Sequence, residues 1–148
     1  MGKITDRLRF WQRPNGPVWH ARVERERGAI GRFNDAVERK LAGQVPIKVV
    51  HDLQVAFDEL LTNVVMHAQQ AAGSIEVELQ HDRGKVTATI RYLADEFDPT
   101  IWREESLSMT VATSRIGGLG IALVRRLMDE FGYEYVDGHN VLKLVKRC

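Results

Sequence analysis

The stretch FDELLTNVVMHA, residues 57–68, decides how the rest of the chain is read. At 3.6 residues per turn Glu59, Asn63 and His67 fall at i, i+4 and i+8, one polar stripe along a strongly apolar segment. Val49, Leu53, Phe57, Leu60, Leu61 and Val64 supply a buried face, and Pro46 suits the first turn, so the pattern predicts a helix over 46–70 that ends near Gly73. On many helices such a stripe is only the solvated edge. Asn, however, is a poor helix former because its amide competes for backbone hydrogen bonds, a local cost of about half a kcal/mol, so its place among Leu, Val and Thr asks for something that offsets it.

Working outward, AIGRFNDAVERKLAG (29–43) repeats Ile30, Phe33, Val37 and Leu41 at helical spacing with Gly43 as its stop, and VWHARVE before it reads as a short extended piece. Downstream the period changes to 2. Ile75, Val77 and Leu79 alternate with polar residues, and so do Val86, Ala88 and Ile90 after the turn Asp82-Arg83-Gly84, which predicts an antiparallel hairpin with one covered face. Residues 94 to 116 hold neither period, and a loop of that length in a compact domain is usually functional or mobile. GIALVRRLMDEF (120–131) predicts a third helix with Leu123, Leu127 and Met128 inward and Arg125, Arg126 and Asp129 outward, followed by the strands YEYV and NVLKLVKR about Asp137-Gly138. The expected class is α+β, a two-layer α/β sandwich with a mostly antiparallel sheet and helices on one face. Residues 1–20 read as a lead-in to one domain over 21–148.

Composition bounds the function. A chain of 148 residues with 44% hydrophobic residues can bury one ordinary core. Twenty-one Lys and Arg against 20 Asp and Glu leave a net charge of +1, which argues against direct nucleic-acid binding through a global basic field and places any function in a local site. The single cysteine, Cys148, excludes an internal disulfide framework and a cysteine metal site and suits a reducing cytoplasm. There is no apolar run of signal-peptide or membrane-spanning length, so the expectation is a cytoplasmic protein with no membrane partner.

The second unusual segment is RIGGLGIALV (115–124). Gly117, Gly118 and Gly120 stand before and at the start of the third helix, where a bare backbone lets N–H groups approach an anion and the first helical turn offers unpaired donors and a positive dipole end. Glycines also serve as plain loop hinges, so this signal gains its meaning from its partner segment.

Taken together, ELLTNVVMH, then a strand, a long loop carrying EFDP at 96–99, GGLGIALVRRLMDEFGYE and a closing DGHNVLKLVKR resemble the ATP-binding domain shared by histidine kinases, gyrase-type and chaperone-type ATPases, the GHKL superfamily. Within it the chain is similar to the small anti-sigma-factor serine/threonine kinases of bacteria, over about residues 25 to 147. The resemblance implies ATP and magnesium as cofactors, a sigma factor and an anti-anti-sigma protein as partners, and a homodimer. It implies that Asn63 is the magnesium ligand, a role its side-chain carbonyl suits for a hard cation, and that Glu59 is the catalytic base that orients or deprotonates the attacking hydroxyl. The long loop would act as a lid, and His67 would contact it or a phosphate, or be structural; Gly117, Gly118 and Gly120 would admit the phosphates and Arg115 would clamp them, unless it is a plain exposed loop charge.

One half of the pattern departs. The family's Asp-x-Gly turn, whose Asp binds the adenine amino group, falls on Tyr92 and Ala94 when counted back from Phe97-Asp98-Pro99. Strand parity turns Tyr92 inward with Val86, Ala88 and Ile90, where its ring would stack on a base, donate a hydrogen bond or simply fill the core, and Asp95 is the nearby carboxylate that can substitute. The threonine often found in the last strand is also missing, with Lys143 and Leu144 in its place. Two function classes therefore follow: an active kinase with an altered base pocket, or a non-catalytic module on the same fold that holds its partner without phosphoryl transfer.

Overall fold

A computed structural model of the chain describes residues 17–67, 73–101 and 118–148. Among these, strands β1 (Val18–Val23), β2 (Ile75–Asp82), β3 (Lys85–Leu93), β4 (Glu130–Val136) and β5 (His139–Arg147) form one sheet in the order β1-β2-β3-β5-β4, and helices α1 (Arg27–Leu41), α2 (Ile47–His67) and α3 (Gly118–Leu127) accompany it. Every strand pairing is antiparallel. The α+β sandwich expected from the sequence is the observed architecture.

The two hairpins have the same turn. Arg83 and Gly84 sit at φ 52° and 72°, Asp137 and Gly138 at 50° and 76°. Two successive left-handed residues give the turn whose twist matches that of the flanking strands, which is why Gly stands second in both. They fix the registers Asp82 to Lys85 and Val136 to His139.

Given those registers, the inward phase of the sheet reads Trp19, Ala21 and Val23 on β1, Ile75, Val77 and Leu79 on β2, Val86, Ala88, Ile90 and Tyr92 on β3, and Leu142 and Leu144 on β5. Against this face α2 buries Val49, Leu53, Phe57, Leu60, Leu61 and Val64, the six residues its periodicity nominates, together with Val50, Ala56 and Val65. α1 adds Ile30, Phe33, Val37 and Leu41. Trp19 stacks on Phe33 at 6.0 Å, and Phe33 meets Phe57 edge-on at 5.1 Å, so one aromatic column joins β1, α1 and α2. The two helices are also tied by reciprocal amides: Asn34 Nδ2 donates to the Gln54 carbonyl and Gln54 Nε2 to the Asn34 carbonyl.

Asp52 closes the other side of α2. Its carboxylate accepts from Lys48 Nζ at 2.9 Å and lies 3.1 Å from Lys146 Nζ, which also donates to the Leu127 carbonyl, so α2, β5 and the end of α3 share one charged bridge. Burial alone would raise the Asp52 pKa, but the two lysines outweigh it and hold the carboxyl below its ordinary value.

Two expectations for the C-terminal third need correction. The third helix runs from Gly118 to Leu127 rather than 120 to 131, and Glu130, Phe131 and Gly132 begin β4. Leu123, expected inward, is 39% exposed while Ile121 and Val124 are buried; Leu127 packs against the core and Met128, just after the helix, is buried, both as expected. Both stripes satisfy a spacing of three or four. What selects the observed one is the side of the helix that can approach α2, and that side carries Gly120. The described portion of the unpatterned segment of residues 94 to 116, up to Ile101, is hydrogen-bonded to β4 and β5 and ends in a short 3-10 turn, Pro99–Ile101.

Candidate functional site

The stripe on α2 meets the start of α3. Glu59 is half-buried, and a Cβ placed on Gly120 would lie 2.8 Å from Glu59 Cδ and 3.3 Å from its Cβ, with the carboxylate oxygen closer still. Only a residue without a side chain lets Glu59 keep this rotamer against α3. Asn63, half-buried, follows one turn later on the same face of α2, and His67 is its exposed last residue. Gly118 is the first residue of α3, so its N–H is among the unpaired donors of that helix. Gly117 and Arg115, assigned to phosphate by the resemblance, lie outside the described residues.

Burial raises the Glu59 pKa above its ordinary value, and the neighbouring Asp58 carboxylate adds to the effect. A carboxylate shifted in this direction is a stronger base once ionised. The arrangement thus joins three groups of different chemistry: a strengthened carboxylate, a side-chain amide able to offer oxygen to a hard cation, and a helix start whose first N–H groups have no intrahelical acceptor and which favours negative charge. Among the described residues no group of three or more His, Cys, Asp or Glu side chains is placed to hold a metal ion by itself.

A second cluster lies at the sheet end where β3 and β4 finish and β5 begins. Tyr92 is 5% exposed and belongs to the core, as its strand parity predicts, with the Arg25 guanidinium 5.9 Å from its ring centre. Arg25 donates from Nε to the Gly73 carbonyl and from Nη2 to the Leu93 carbonyl, both at 2.7 Å, and so ties the start of β2 to the end of β3. Burial first, and the nearby Tyr133 second, push the Tyr92 hydroxyl up to about 12 against the pull of Arg25.

Opposite Tyr92 in the register stands Asn140, fully buried. Its Oδ1 accepts from the Phe97 N–H at 2.9 Å and from the Tyr133 hydroxyl, and its Nδ2 donates to the Asp95 carbonyl at 2.8 Å. The Tyr135 hydroxyl reaches the Ala94 carbonyl at 3.0 Å, and the Ala94 N–H donates to the Gly138 carbonyl. The segment from Ala94 to Phe97 is therefore laced to β4 and β5 through one amide and two phenols. The Asp95 side chain, the proposed stand-in for the missing base-binding Asp, is exposed while its backbone is held.

Asn140 is a site residue that the sequence motifs did not single out. The last-strand position expected to hold a threonine carries Lys143 and Leu144, but Lys143 pairs with Thr89 and Gly132 on the face away from the helices. The available signal was parity: an Asn in phase with Leu142 and Leu144 must point inward and must find partners there.

Comparison with known proteins bears on both clusters. The family described as the histidine kinase-like ATPase domain matches residues 20–146. The serine-protein kinase RsbW of Listeria innocua is 30% identical over 101 residues, 64% of this chain and 64% of that protein. The serine/threonine-protein kinase BtrW of Bordetella bronchiseptica is 31% identical over 94 residues, 62% of this chain and 66% of the relative. The match thus spans just under two thirds of each of these relatives. A crystal structure of the RsbU and RsbW domains of a Mycobacterium tuberculosis protein superposes with a TM-score of 0.63 at 18% identity, covering 91% of this chain and 33% of that one, which is a likeness of fold. Since the family match begins inside β1 and ends inside β5, taking in the α2 stripe, the α3 start and the laced sheet end alike, the chain belongs to the histidine kinase-like ATPase domains.

Proposed function

We propose that the chain is an ATP-dependent protein serine/threonine kinase that binds a sigma factor in one state and phosphorylates an anti-anti-sigma protein in the other, as a cytoplasmic homodimer. The observation that carries the reading is the seat of Glu59 against Gly120 with Asn63 one turn away on the same face. The serine-protein kinases it resembles support the reaction class.

In this reading Asn63 offers its carbonyl oxygen to magnesium, and the first turn of α3, from Gly118, receives phosphate oxygens on its N–H groups. Magnesium-ATP, when bound, supplies the phosphoryl group and neutralises its charge. Glu59 would orient the incoming Ser or Thr hydroxyl and accept its proton as that oxygen bonds to the γ-phosphorus and the bond to the departing ADP breaks, for which its raised pKa suits it. His67, Arg115 and Gly117 are assigned to the phosphate side and Asp95 and Tyr92 to the base side.

A second reading, a partner-binding module without transfer, is favoured by one observation: the residue at the base-binding position is a core tyrosine, with Ala94 two residues on. Calorimetric titration with magnesium and ATP, comparing the natural protein with Asn63→Ala, separates the two. Binding that depends on Asn63 supports the kinase; absence of binding in both leaves the module. With binding in hand, Glu59→Ala is expected to keep nucleotide and to lose transfer by roughly a hundred- to ten-thousandfold. Equal rates in variant and parent would remove Glu59 from the chemistry.

A further inference from the structure

We propose that Gly120 is a positioning residue for Glu59: the missing side chain at this point of α3 is the seat that holds the carboxylate at the α2–α3 contact, and Gly120 acts through that carboxylate rather than on the nucleotide. The role of Glu59 in transfer rests on the kinase reading above; the seat itself is a feature of the packing.

The geometry separates Gly120 from its neighbour Gly118. Gly118 opens the helix, where a bare backbone serves approach to an anion. Gly120 is buried, and the atoms that crowd its absent Cβ all belong to Glu59: the carboxylate oxygen, Cδ at 2.8 Å and Cβ at 3.3 Å. An alanine there cannot coexist with the present Glu59 rotamer. Either the carboxylate swings out toward water or the helices part. The site also selects how α3 is rotated, since the stripe that contains Gly120 is the one turned inward while Leu123 is left exposed. A plain hinge glycine would show neither the overlap nor this dependence on one side chain of another helix. Four other described glycines, Gly31, Gly43, Gly73 and Gly84, have open space where a Cβ would go.

Two properties of Glu59 depend on the seat. Its direction is fixed, because the carboxylate lies against α3 instead of sampling rotamers in solvent. Its basicity is raised, because the same contact removes water from it, which is the first cause of its shift. Moving it outward lets water back and returns the carboxyl toward the ordinary glutamate range.

The test is a cycle of Gly120→Ala, Glu59→Ala and the double variant in the full chain. Gly120→Ala is expected to lower the melting temperature by several degrees, and the double variant to regain most of that loss, because removing the carboxylate removes the overlap and leaves only the milder Cβ contact. Strict additivity of the two changes overturns the proposal. Should Gly120→Ala alone not fold, recovery of folded protein in the double variant supports the seat equally well, and failure of both to fold overturns it. A carboxyl titration of Glu59 followed by NMR is expected to move down in Gly120→Ala; an unmoved titration counts against the seat. Where transfer is measurable, Gly120→Ala is expected to lower kcat by on the order of a hundredfold, the scale of a misplaced reacting group, with the KM for ATP within about twofold and the acid limb of the rate profile at lower pH. A raised KM with an unchanged titration would assign Gly120 to the nucleotide. If the natural protein transfers no phosphate, the kinase reading fails, while melting and titration still decide the seat.

Discussion

The contact between α2 and α3 and the end of the sheet are built in opposite ways. At the helix contact the polar groups Glu59 and Asn63 are half-buried on one face, and a glycine makes room for Glu59. At the sheet end the polar groups are used up internally: Asn140, Tyr133 and Tyr135 direct their hydrogen bonds to each other and to the backbone of the segment after β3, and Tyr92 is sealed in the core. The first region keeps chemistry available; the second uses polarity to hold a chain path. Tyr92 and Ala94 stand where the resemblance puts the base-binding turn, so in the kinase reading nucleotide affinity comes mainly from the phosphate side.

The largest effect that would break this contrast is at Asn63. Asn63→Ala is expected to weaken magnesium-ATP binding on the order of a hundredfold while leaving the melting temperature within a few degrees, measured by calorimetry and thermal unfolding. Comparable binding with and without Asn63 would place affinity elsewhere.

Asn140→Leu should show the reverse, a folding defect. It strands the Phe97 N–H, the Tyr133 hydroxyl and the Asp95 carbonyl in a buried place, a cost of about 3 kcal/mol. Chemical denaturation measures the loss, and hydrogen exchange at the Phe97 amide should accelerate more than exchange in β2. If that amide exchanges as slowly as in the parent, Asn140 does not hold the segment.

Smaller still is the effect at Asp52. Its carboxyl lies below the ordinary carboxylate range because the bonds from Lys48 and Lys146 outweigh burial. The stability it contributes is therefore present above the unfolded value near pH 4 and is lost as pH falls through the depressed folded value. Asp52→Asn should lower stability at neutral pH by about 1–3 kcal/mol and flatten the acid limb of the melting curve. An unchanged acid limb would show that other carboxylates govern it.

The smallest change is expected at Tyr92. Burial pushes its hydroxyl and that of Tyr133 up to about 12, so a spectrophotometric titration should show both phenols ionising late, and Tyr92→Phe should alter stability by less than about 1 kcal/mol. A large loss would mean that the hydroxyl, and not only the ring, is structural.

How much of this was legible depends on whether one residue's neighbours are local. The hairpin of β2 and β3 and the buried face of α2 follow from periods of 2 and 3.6, which are properties of the chain alone, and both appear as expected. The rotation of α3 does not, because Leu123 and Ile121 fit equally good apolar stripes and the choice is made by a glycine facing another helix. The same holds for the site. Glu59, Asn63 and the glycines stand out by composition, whereas Asn140 gains its meaning from a segment more than 40 positions earlier in the chain. Asp52 escaped for the same reason: Lys48, four residues before it, is visible in the sequence, but Lys146 is brought in only by β5.

The two matching reverse turns also say something about how the molecule assembles. Each joins strands that are neighbours in sequence, so the β2–β3 and β4–β5 pairs are closed by loops too short to carry much entropic penalty and can zip within microseconds. The seam between them, β3 with β5, unites segments separated by α3 and by everything from residue 94 to 138, and β1 must travel past two helices to reach β2. Mutations such as Ala88→Gly and Leu144→Ala across that seam should slow refolding if the seam forms in the rate-limiting step, and changes at Arg83 or Asp137, whose turns close before it, should slow refolding as well.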